Sequence, residues 1–301
     1  MQSYQLERHI KKDEEPKRLK INKQVFLDPE FETLWNKINH RTTYRVDYSS
    51  DVLISNAVKA ISGMEKIDPV KVSYREDIID VEKKGITTTN TKANEIKLEY
   101  TGTLPDILAY LQKETELTRN TLVKILSASN RLKEFAVNPQ KFMDAVAAIL
   151  NRELHRLMID GIKYEKLLVG DTEWSMQLFK GEELRDYFEQ SLKVSNSVFD
   201  SIIYDSDVER KFAQELDNRV DIKLFVKLPS FFKIETPIGT YNPDWAIVKH
   251  EDATIYLVRE TKSTKNFEKL RNSEADKIKC GRKHFEVIGA DFDVVTSAGE
   301  L

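Results

Sequence analysis

The sequence has 301 residues, 32% of them charged, and a formal net charge of −3. This length suggests two or three domains, each with enough apolar residues for a core. The small negative charge excludes nucleic-acid binding through an overall positive field, so any such contact requires a local basic patch.

Several classes of protein are disfavoured by what the sequence lacks. The single cysteine, Cys280, excludes intramolecular disulfides and a cysteine-based zinc site, as is typical of a reducing compartment. We expect no signal peptide and no membrane span, and therefore a cytoplasmic protein. No G-x-x-x-x-G-K-[ST] loop occurs, so ATP would act only through a helicase motor that this chain does not contain.

Residues 1–102 are predicted to form a mixed α/β unit behind a charged N-terminal extension. Helix caps, apolar stripes and the alternation of polar with apolar residues predict these elements. They are a helix capped by Asp28 and begun by Pro29, a strand at Thr42–Tyr48, a helix from Ser50-Asp51, and strands at Val70–Tyr74 and Asn94–Tyr100 joined by a polar loop at Thr87–Thr91.

Residues 103–200 are predicted to be mainly helical. The predicted helices are Pro105–Leu111, Thr118–Leu126, a long helix begun by Asn138-Pro139, and Glu182–Lys193. The segment around Thr118 and Arg119 fits two interpretations. It either opens the second helix of a helix-turn-helix that faces DNA, or belongs to an ordinary helical hairpin with an exposed arginine. We favour the hairpin because the motif is short and degenerate.

Residues 201–301 are predicted to be an α+β or mixed α/β domain with one central sheet. Ser206 and Glu209 fit a capping box at the start of its first helix. The elements that follow are strands at Ile222–Val226, Phe231–Ile234, Asn242–Val248 and Thr254–Thr261, a helix at Ser273–Phe285, and a strand at Phe292–Thr296.

The most informative feature is a set of charged residues in this last domain. Asp244 follows Pro243, and the triplet Glu260-Thr261-Lys262 ends an apolar run, Ile255–Val258, that predicts a buried strand. Glu260 and Lys262 share one face of that strand, and two carboxylates can bind Mg²⁺ through oxygen. Acidic-x-Lys triplets also arise by accident, as at Asp221-Ile222-Lys223, so a plain hairpin with a surface salt bridge is the alternative.

The order of helix with an acidic residue, hairpin, Pro-Asp and Glu-x-Lys resembles the PD-(D/E)xK nuclease superfamily. More narrowly, three blocks are similar to the C-terminal nuclease domain of the Res (restriction) subunit of type III restriction enzymes. These blocks are Thr236–Ala246, Arg259–Lys262 and Lys277–Phe285. The resemblance is strongest over about residues 200–296 and implies a central mixed sheet flanked by helices.

Three upstream segments are similar to the stretch between that subunit's helicase core and its nuclease. They are Thr42–Val46, Pro105–Leu108 and Leu117–Arg119. The resemblance implies the C-terminal portion of a larger subunit, or a chain whose motor is encoded separately. The division it implies is a mixed α/β connector after the helicase core at 1–102, a mainly helical region at 103–200, and a PD-(D/E)xK-like endonuclease domain at 201–301.

The superfamily pattern makes Asp244, Glu260 and Lys262 the catalytic residues. Asp244 and Glu260 would bind Mg²⁺ together with the main-chain carbonyl of Thr261. Glu209 is a further candidate ligand, although a capping box explains it equally well. Lys262 would orient the attacking water and stabilise charge on the phosphorus, because two nearby carboxylates oppose the lowered pKa that a base would need.

A basic segment next to this set is a weaker candidate for contact with the DNA backbone, and a solvated helix face explains it almost as well. Its members are Lys265, Lys269, Arg271, Lys277, Lys279, Arg282 and Lys283. Backbone contacts position DNA without reading its sequence, so the resemblance leaves site selection to the methyltransferase (Mod) subunit. His284 is expected to be packed or capping, and Trp245 to lie in the core.

Three functions are therefore open. The first is a Mg²⁺-dependent endonuclease that cuts duplex DNA at a site chosen by a methyltransferase partner. The second is a docking or connector module over residues 1–200 that binds the Mod subunit or DNA. The third is a stand-alone nuclease of the DNA-repair type.

Overall fold

The computed structural model describes residues 17–82, 85–98, 100, 102–181, 185–186, 190–251, 253–264 and 272–301. Contacts divide the chain into a first unit, Met1–Val46 with Ile162–Leu301, and a second unit, Asp47–Gly161. This grouping does not follow the boundaries after residues 102 and 200, so the three-part division by role stays a prediction. Residues 1–16, which make up most of the expected N-terminal extension, lie outside the described residues.

The elements confirm a mixed α/β architecture. The helices are α1 (Lys23–Phe26), α2 (Pro29–Ile38), α3 (Ser50–Ser62), α4 (Ile107–Thr115), α5 (Arg119–Ser129), α6 (Pro139–Asp160), α7 (Leu178–Gly181), α8 (Asp207–Asn218) and α9 (Asn272–Ile288). The strands are β1 (Lys17–Arg18), β2 (Thr42–Val46), β3 (Val70–Glu82), β4 (Gly85–Leu98), β5 (Ile162–Lys166), β6 (Arg185–Asp186), β7 (Ser191–Lys193), β8 (Ser201–Ile203), β9 (Ile222–Lys227), β10 (Trp245–His250), β11 (Thr254–Thr261) and β12 (Asp291–Val295).

In the second unit, α3, α4, α5 and α6 pack around an apolar core. The long helix α6 begins as predicted: the Asn138 side chain accepts a hydrogen bond from the amide three residues on, and Pro139 takes the first helical position. Phe142, Val146 and Leu150 form one stripe on α6 and are fully buried. Helix α3 also forms, although its N-cap is Ser49, one residue earlier than expected.

Helices α4 and α5 form the predicted helical pair. The side chains of Asp106 and Thr118 accept hydrogen bonds from the first-turn amides of α4 and α5, respectively. Glu116 ends α4 in the left-handed conformation, with φ of 56°. Arg119 is exposed and lies 3.7 Å from Asp106. This geometry fits a helical hairpin with an exposed arginine, and DNA contact by Thr118 and Arg119 stays a prediction.

The expected loop at Thr87–Thr91 is wrong, because these residues belong to β4. They pair with β3 in a long antiparallel ribbon whose register shifts between Asp77 and Ile78. Threonine is β-branched and fits an extended backbone as well as a polar loop, so polarity alone was a poor guide here.

Two other predicted elements are wrong in the first unit. The expected helix at Glu182–Lys193 contains strands β6 and β7 wherever it is described, since Ser191–Lys193 pairs with β8. The expected strand at Phe231–Ile234 makes only an isolated bridge, between Ile234 and Tyr241, within the described residues. Its Phe232 is fully buried among aromatic rings, so core packing rather than strand pairing explains its apolar character.

The first unit contains a four-stranded mixed sheet with the strand order β12-β11-β10-β9. Strands β9, β10 and β11 are antiparallel, whereas β12 runs parallel to β11 after the crossover helix α9. The residues of β10 from Trp245 to Lys249 are all buried, so both faces of the sheet are covered there. Trp245 and Ile247 pack in one core with Phe212 of α8.

Helix α2 and the β2–β5 pair also belong to the first unit. Asp28 caps α2 and Pro29 begins it, as predicted. In the β2–β5 pair, Val46 lies opposite Ile162. Helix α9 packs against β5, and its His284 is fully buried, with Nδ1 2.8 Å from the hydroxyl of Thr42. His284 is therefore a packed residue.

Candidate active site

Asp244 and Glu260 lie side by side where β10 begins and β11 ends. In this antiparallel pair Trp245 is opposite Arg259. Extending the register by one residue places Asp244 opposite Glu260, and side chains in such positions have Cβ atoms about 5 Å apart. Strand pairing thus brings together two carboxylates that are well separated in sequence.

Asp244 is held in place by Thr261. Its Oδ2 accepts one hydrogen bond from the Thr261 amide, at 2.8 Å, and another from the Thr261 hydroxyl, at 2.7 Å. Burial raises the pKa of Asp244, the bonds from Thr261 oppose this, and the charge of Glu209 raises the pKa further. The carboxylate form of Asp244 would therefore gain from a cation beside it.

Glu260 is almost fully buried, with 4% of its surface exposed. The phenol of Tyr241 donates a hydrogen bond to its Oε2 at 2.7 Å, and Lys262 Nζ lies 2.9 Å from its Oε1. Burial, and then the charge of Asp244, raise the pKa of Glu260 to about 8 even though Lys262 and Tyr241 act against the shift. Two neighbouring acids with raised pKa values are typical of a functional site.

Lys262 lies between two carboxylates. Its Nζ is 2.9 Å from Glu260 Oε1 and 2.5 Å from Oε1 of Glu274 on α9. Burial alone would lower the pKa of Lys262, but Glu260, Glu274 and Asp244 together raise it above its ordinary value. The side chain therefore stays an ammonium at neutral pH. It is suited to stabilise negative charge and not to accept a proton.

These groups line a cleft of about 840 Å³. Four carboxylates and two ammonium groups are among its lining residues, so acidic groups outnumber basic ones. The lining consists of Asp205, Thr240, Tyr241, Asn242, Asp244, Glu260, Lys262, Ser273, Glu274, Lys277 and Ile278. Such a cleft favours a bound cation and repels a polyanion unless a cation is present.

Glu209 lies near this cleft on α8 and has a capping role as expected. Its amide donates to the Ser206 hydroxyl at 3.3 Å, while its own Oε2 accepts from the amide of Asp205 at 3.1 Å. The same Oε2 lies 2.6 Å from Nζ of Lys227. Lys227 was not predicted from the sequence, although it ends the apolar strand β9 in the same way as Lys262 follows β11.

The basic residues predicted to contact DNA have different surroundings. Lys265, Lys269 and Arg271 lie outside the described residues. Lys277 lines the cleft. The others have partners of their own: Lys279 lies 3.2 Å from Asp276, Arg282 lies 2.9 Å from Asp293, and Lys283 donates to the carbonyl of Ile162. Of the predicted DNA-contacting residues that the structure describes, Lys277 is the one that lines the cleft.

The donor set fits Mg²⁺ only if water and substrate supply part of the coordination. Among the described residues, no three or more His, Cys, Asp and Glu side chains form a group that could hold a metal ion. Mg²⁺ nevertheless keeps several waters and is often bound by one or two carboxylates. Asp244, Glu260 and the carbonyl of Thr261 are all oxygen donors, and both acids have raised pKa values. We regard this set as compatible with the ion.

Comparison with protein families matches residues 195–298 to a family described as an endonuclease domain. The match supports a restriction-type endonuclease domain. It spans α8, the four-stranded sheet, α9 and the residues that line the cleft. Comparison with curated proteins and with solved structures gave no significant match. Among the helices that the structure describes, none combines the length and the apolar character that a membrane span requires.

Proposed function

We propose that this protein is a Mg²⁺-dependent endonuclease that hydrolyses phosphodiester bonds of duplex DNA. The observation that carries the proposal is the convergence of Asp244, Glu260 and Lys262 in one cleft inside the range matched to an endonuclease domain. A plain hairpin with a surface salt bridge does not explain why Glu260 is buried. Burying a carboxylate is costly, and its retention beside a second acid points to a use.

The chain's own residues divide the chemistry among them. Asp244, Glu260 and the Thr261 carbonyl would hold Mg²⁺, with Glu209 as a further candidate ligand through water. When bound, the ion would supply a nucleophilic water and neutralise a phosphate oxygen. Lys262 stabilises the charge that builds up on the phosphoryl oxygens as the bond to water forms.

We propose further that the chain is the nuclease portion of the Res subunit of a type III restriction enzyme. The support is the resemblance of the blocks around Asp244, Arg259–Lys262 and Lys277–Phe285, together with the restriction-type family match. In this arrangement a helicase core of the same subunit uses ATP. The methyltransferase (Mod) subunit would select the site, because lysine contacts to the DNA backbone position a duplex without reading its sequence.

Cleavage assays with single variants test the nuclease. Parent protein and the variants Asp244→Asn and Lys262→Met are incubated with plasmid DNA and Mg²⁺, alone and with the helicase and methyltransferase partners and ATP. We expect both variants to lose activity by about 100-fold or more, because one lacks a proposed ligand of the ion and the other lacks the ammonium that stabilises charge on the phosphoryl oxygens. Cleavage by both at the parent's rate would refute the assignment.

The second acidic-x-Lys triplet supplies matched controls. Asp221 and Lys223 lie at the start of β9 in the same sheet and pair with groups away from the cleft. Asp221→Asn and Lys223→Met should therefore cut DNA at the parent's rate. Cutting that needs neither a helicase nor a methyltransferase would favour the stand-alone, repair-type nuclease over the type III assignment.

A docking role for the second unit is a separate proposal. Asp47–Gly161 is a compact unit with its own apolar core, and the cleft residues all lie in the other unit. Pull-down of the methyltransferase by the parent chain, and by a chain that lacks residues 47–161, tests this role. Equal capture by both chains would contradict it.

A further inference from the structure

We infer that a second cleft, formed around Arg41, Lys233 and Tyr44, binds backbone phosphates of the DNA duplex next to the catalytic cleft. This inference rests on the proposed function and deepens it, because it adds a further part of the substrate-binding surface. These residues belong neither to the Asp and Glu-x-Lys motif nor to the basic segment predicted from the sequence.

The second cleft is built from segments that hydrogen bonds fix to one another. It has a volume of about 500 Å³ and is lined by the start of β2, by residues after β5 and by a third segment that includes Glu235. The amide of Arg41 donates to the carbonyl of Thr172 at 2.8 Å, and its own carbonyl accepts from the amide of Leu167 at 3.0 Å. The phenol of Tyr164 in β5 donates to the carbonyl of Glu235 at 2.8 Å. The cleft is therefore preformed within the first unit, as is usual for a binding site.

Arg41 offers a guanidinium whose donors are not committed to a strong ion pair. Its Cζ lies 5.9 Å from the centroid of the Trp174 ring, and a cation–π contact of this kind holds the planar group in place. Its acidic partner among the described residues is Asp171, at 4.0 Å, and that carboxylate is 94% exposed. Exposed pairs of this kind contribute little. The N–H groups of Arg41 are thus left to bind a phosphate, whose geometry a guanidinium matches.

Lys233 and Tyr44 add further donors to the cleft. Lys233 is exposed and has no ion-pair partner within the part of the chain that the structure describes. Burial, and then the charge of Glu235, raise the pKa of Tyr44, so its phenol stays protonated and can donate a hydrogen bond. Two cationic groups and a phenol are a donor set that suits a phosphate.

The balance of charge in this cleft is opposite to that in the catalytic cleft. Its lining has two cationic side chains and one carboxylate, that of Glu235, whereas the catalytic cleft has four carboxylates and two ammonium groups. The catalytic cleft therefore attracts DNA only when a cation is bound there, and the second cleft attracts it without one. A chain with a net charge of −3 needs a local basic site of this kind to bind DNA.

The two clefts are neighbours in the fold. Ile234 lines the second cleft and Tyr241 lines the catalytic one. Each of these two residues donates its amide to the carbonyl of the other at 2.8 Å, and residues paired in this way have Cα atoms about 5.5 Å apart. Duplex DNA carries one charge for about every 1.7 Å of its axis, so a duplex that reaches the catalytic cleft presents further phosphates to the second.

The test measures DNA binding by the full chain in EDTA, where the catalytic cleft has no cation to attract DNA. Fluorescence anisotropy of a labelled duplex is recorded at several salt concentrations. We expect Lys233→Ala and Arg41→Gln each to weaken binding and to reduce the slope of log affinity against log salt by about 1, and the double variant by about 2. Arg41→Lys keeps the charge and should keep the parent's slope.

Cleavage with Mg²⁺ gives a second readout, under the condition in which the parent cuts, alone or with its partners and ATP. The loss caused by the cleft variants should appear as a higher KM and not as a lower kcat, because these groups bind DNA away from the reacting phosphate. Arg45→Gln is the matched control. Arg45 lies on the same strand, pairs with Glu165 at 3.6 Å and does not line the cleft, so this variant should keep the parent's slope and KM.

The outcomes are distinct. Parent-level affinity and slope in Lys233→Ala and in the double variant would overturn the inference, while Asp244→Asn and Lys262→Met still decide the proposed function. An equal loss in Arg45→Gln would overturn it as well, since the attraction would then come from the surface as a whole. If Arg41→Gln does not fold, Lys233→Ala decides, because Lys233 is exposed. A parent chain that neither binds nor cuts DNA refutes the proposed function itself.

Discussion

The ring of Tyr241 lies directly against the backbone of Gly281 in α9: a Cβ at Gly281 would sit 2.3 Å from Tyr241 Cε1. Glycine inside a helix costs about 1 kcal/mol of helix stability relative to alanine. At Gly281 this cost accompanies the close approach of the Tyr241 ring to the backbone of α9. The approach allows the Tyr241 phenol to reach Glu260. A residue without a side chain thus contributes to the orientation of a candidate catalytic acid.

We therefore expect Gly281→Ala to displace Tyr241 and to lower cleavage by about 10-fold or more, since small errors in positioning are costly. Thermal unfolding should show no gain in stability, although alanine favours helix. Gly63→Ala is the control, because the nearest atom to a Cβ there is at an ordinary 3.5 Å. A Gly281→Ala protein that is more stable and fully active would contradict this prediction.

Glu260 is expected to reduce the stability of the fold at neutral and alkaline pH. Its carboxyl has a pKa of about 8 in the folded chain against an ordinary value of 4.5. Between these values the folded state holds a proton that the unfolded state has lost, so this group's contribution to stability falls as the pH rises. Glu260→Gln should remove this loss, which is about 3 to 4 kcal/mol between pH 5 and pH 8.

Denaturation of parent and Glu260→Gln at the two pH values measures this effect. We expect the variant to gain stability relative to the parent at pH 8 and to gain much less at pH 5. The same variant should cut DNA poorly, which would separate the requirements of folding from those of catalysis. An equal difference at both pH values would show that the carboxyl does not titrate as the structure indicates.

His284 has the opposite pH dependence. Burial lowers its pKa from 6.5 to about 3, and its Nε2 has no hydrogen-bond partner among the described residues. Below pH 6.5 the unfolded chain binds a proton that the folded chain does not, so stability falls as the pH falls. The loss should be about 1.4 kcal/mol per pH unit below pH 6.

Urea denaturation between pH 4.5 and 7 tests the role of His284. His284→Phe should flatten the dependence on pH, even if the lost contact with Thr42 lowers stability at every pH. An unaltered slope in His284→Phe would contradict the prediction.

Lys277 is expected to contact the DNA backbone. It lines the cleft, whereas Lys279, two residues on, pairs with Asp276. Lys277→Ala should weaken DNA binding and reduce the slope of log affinity against log salt by about 1, the amount expected for one lost phosphate contact. Lys279→Ala is the matched control and should keep the parent's slope. Binding titrations at several salt concentrations distinguish the two outcomes.

Local signals predicted those elements whose ends are fixed by their own residues. Side-chain caps at Asp28, Asn138 and Ser206 mark the starts of α2, α6 and α8, and all three form as expected. The strand predicted at Thr254–Thr261 has those bounds in the structure. Where strand pairing decides, as for Ser191–Lys193 with the neighbouring strand β8, the apolar pattern of the segment alone predicted the wrong element.

The candidate site likewise combines residues that a local motif predicted with a residue that only the tertiary structure brings in. Asp244, Glu260 and Lys262 were predicted from a sequence motif, and the structure places the three residues in one cleft. Glu274 enters the site from α9, through a contact with Lys262 that no local pattern encodes. Contacts between segments distant in sequence can be recognised only after the sheet and α9 are placed.

Val46 and Ile162 face one another on paired strands, yet 115 residues, all of the second unit, lie between them in sequence. A tight turn of two to five residues is enough to join antiparallel strands at such a point. The two strands could therefore be joined directly, which would leave the unit that contains the cleft with this strand pair intact. The pairing of Val46 with Ile162 thus makes the junction between them a site where a domain could be inserted or lost in evolution without breaking the sheet.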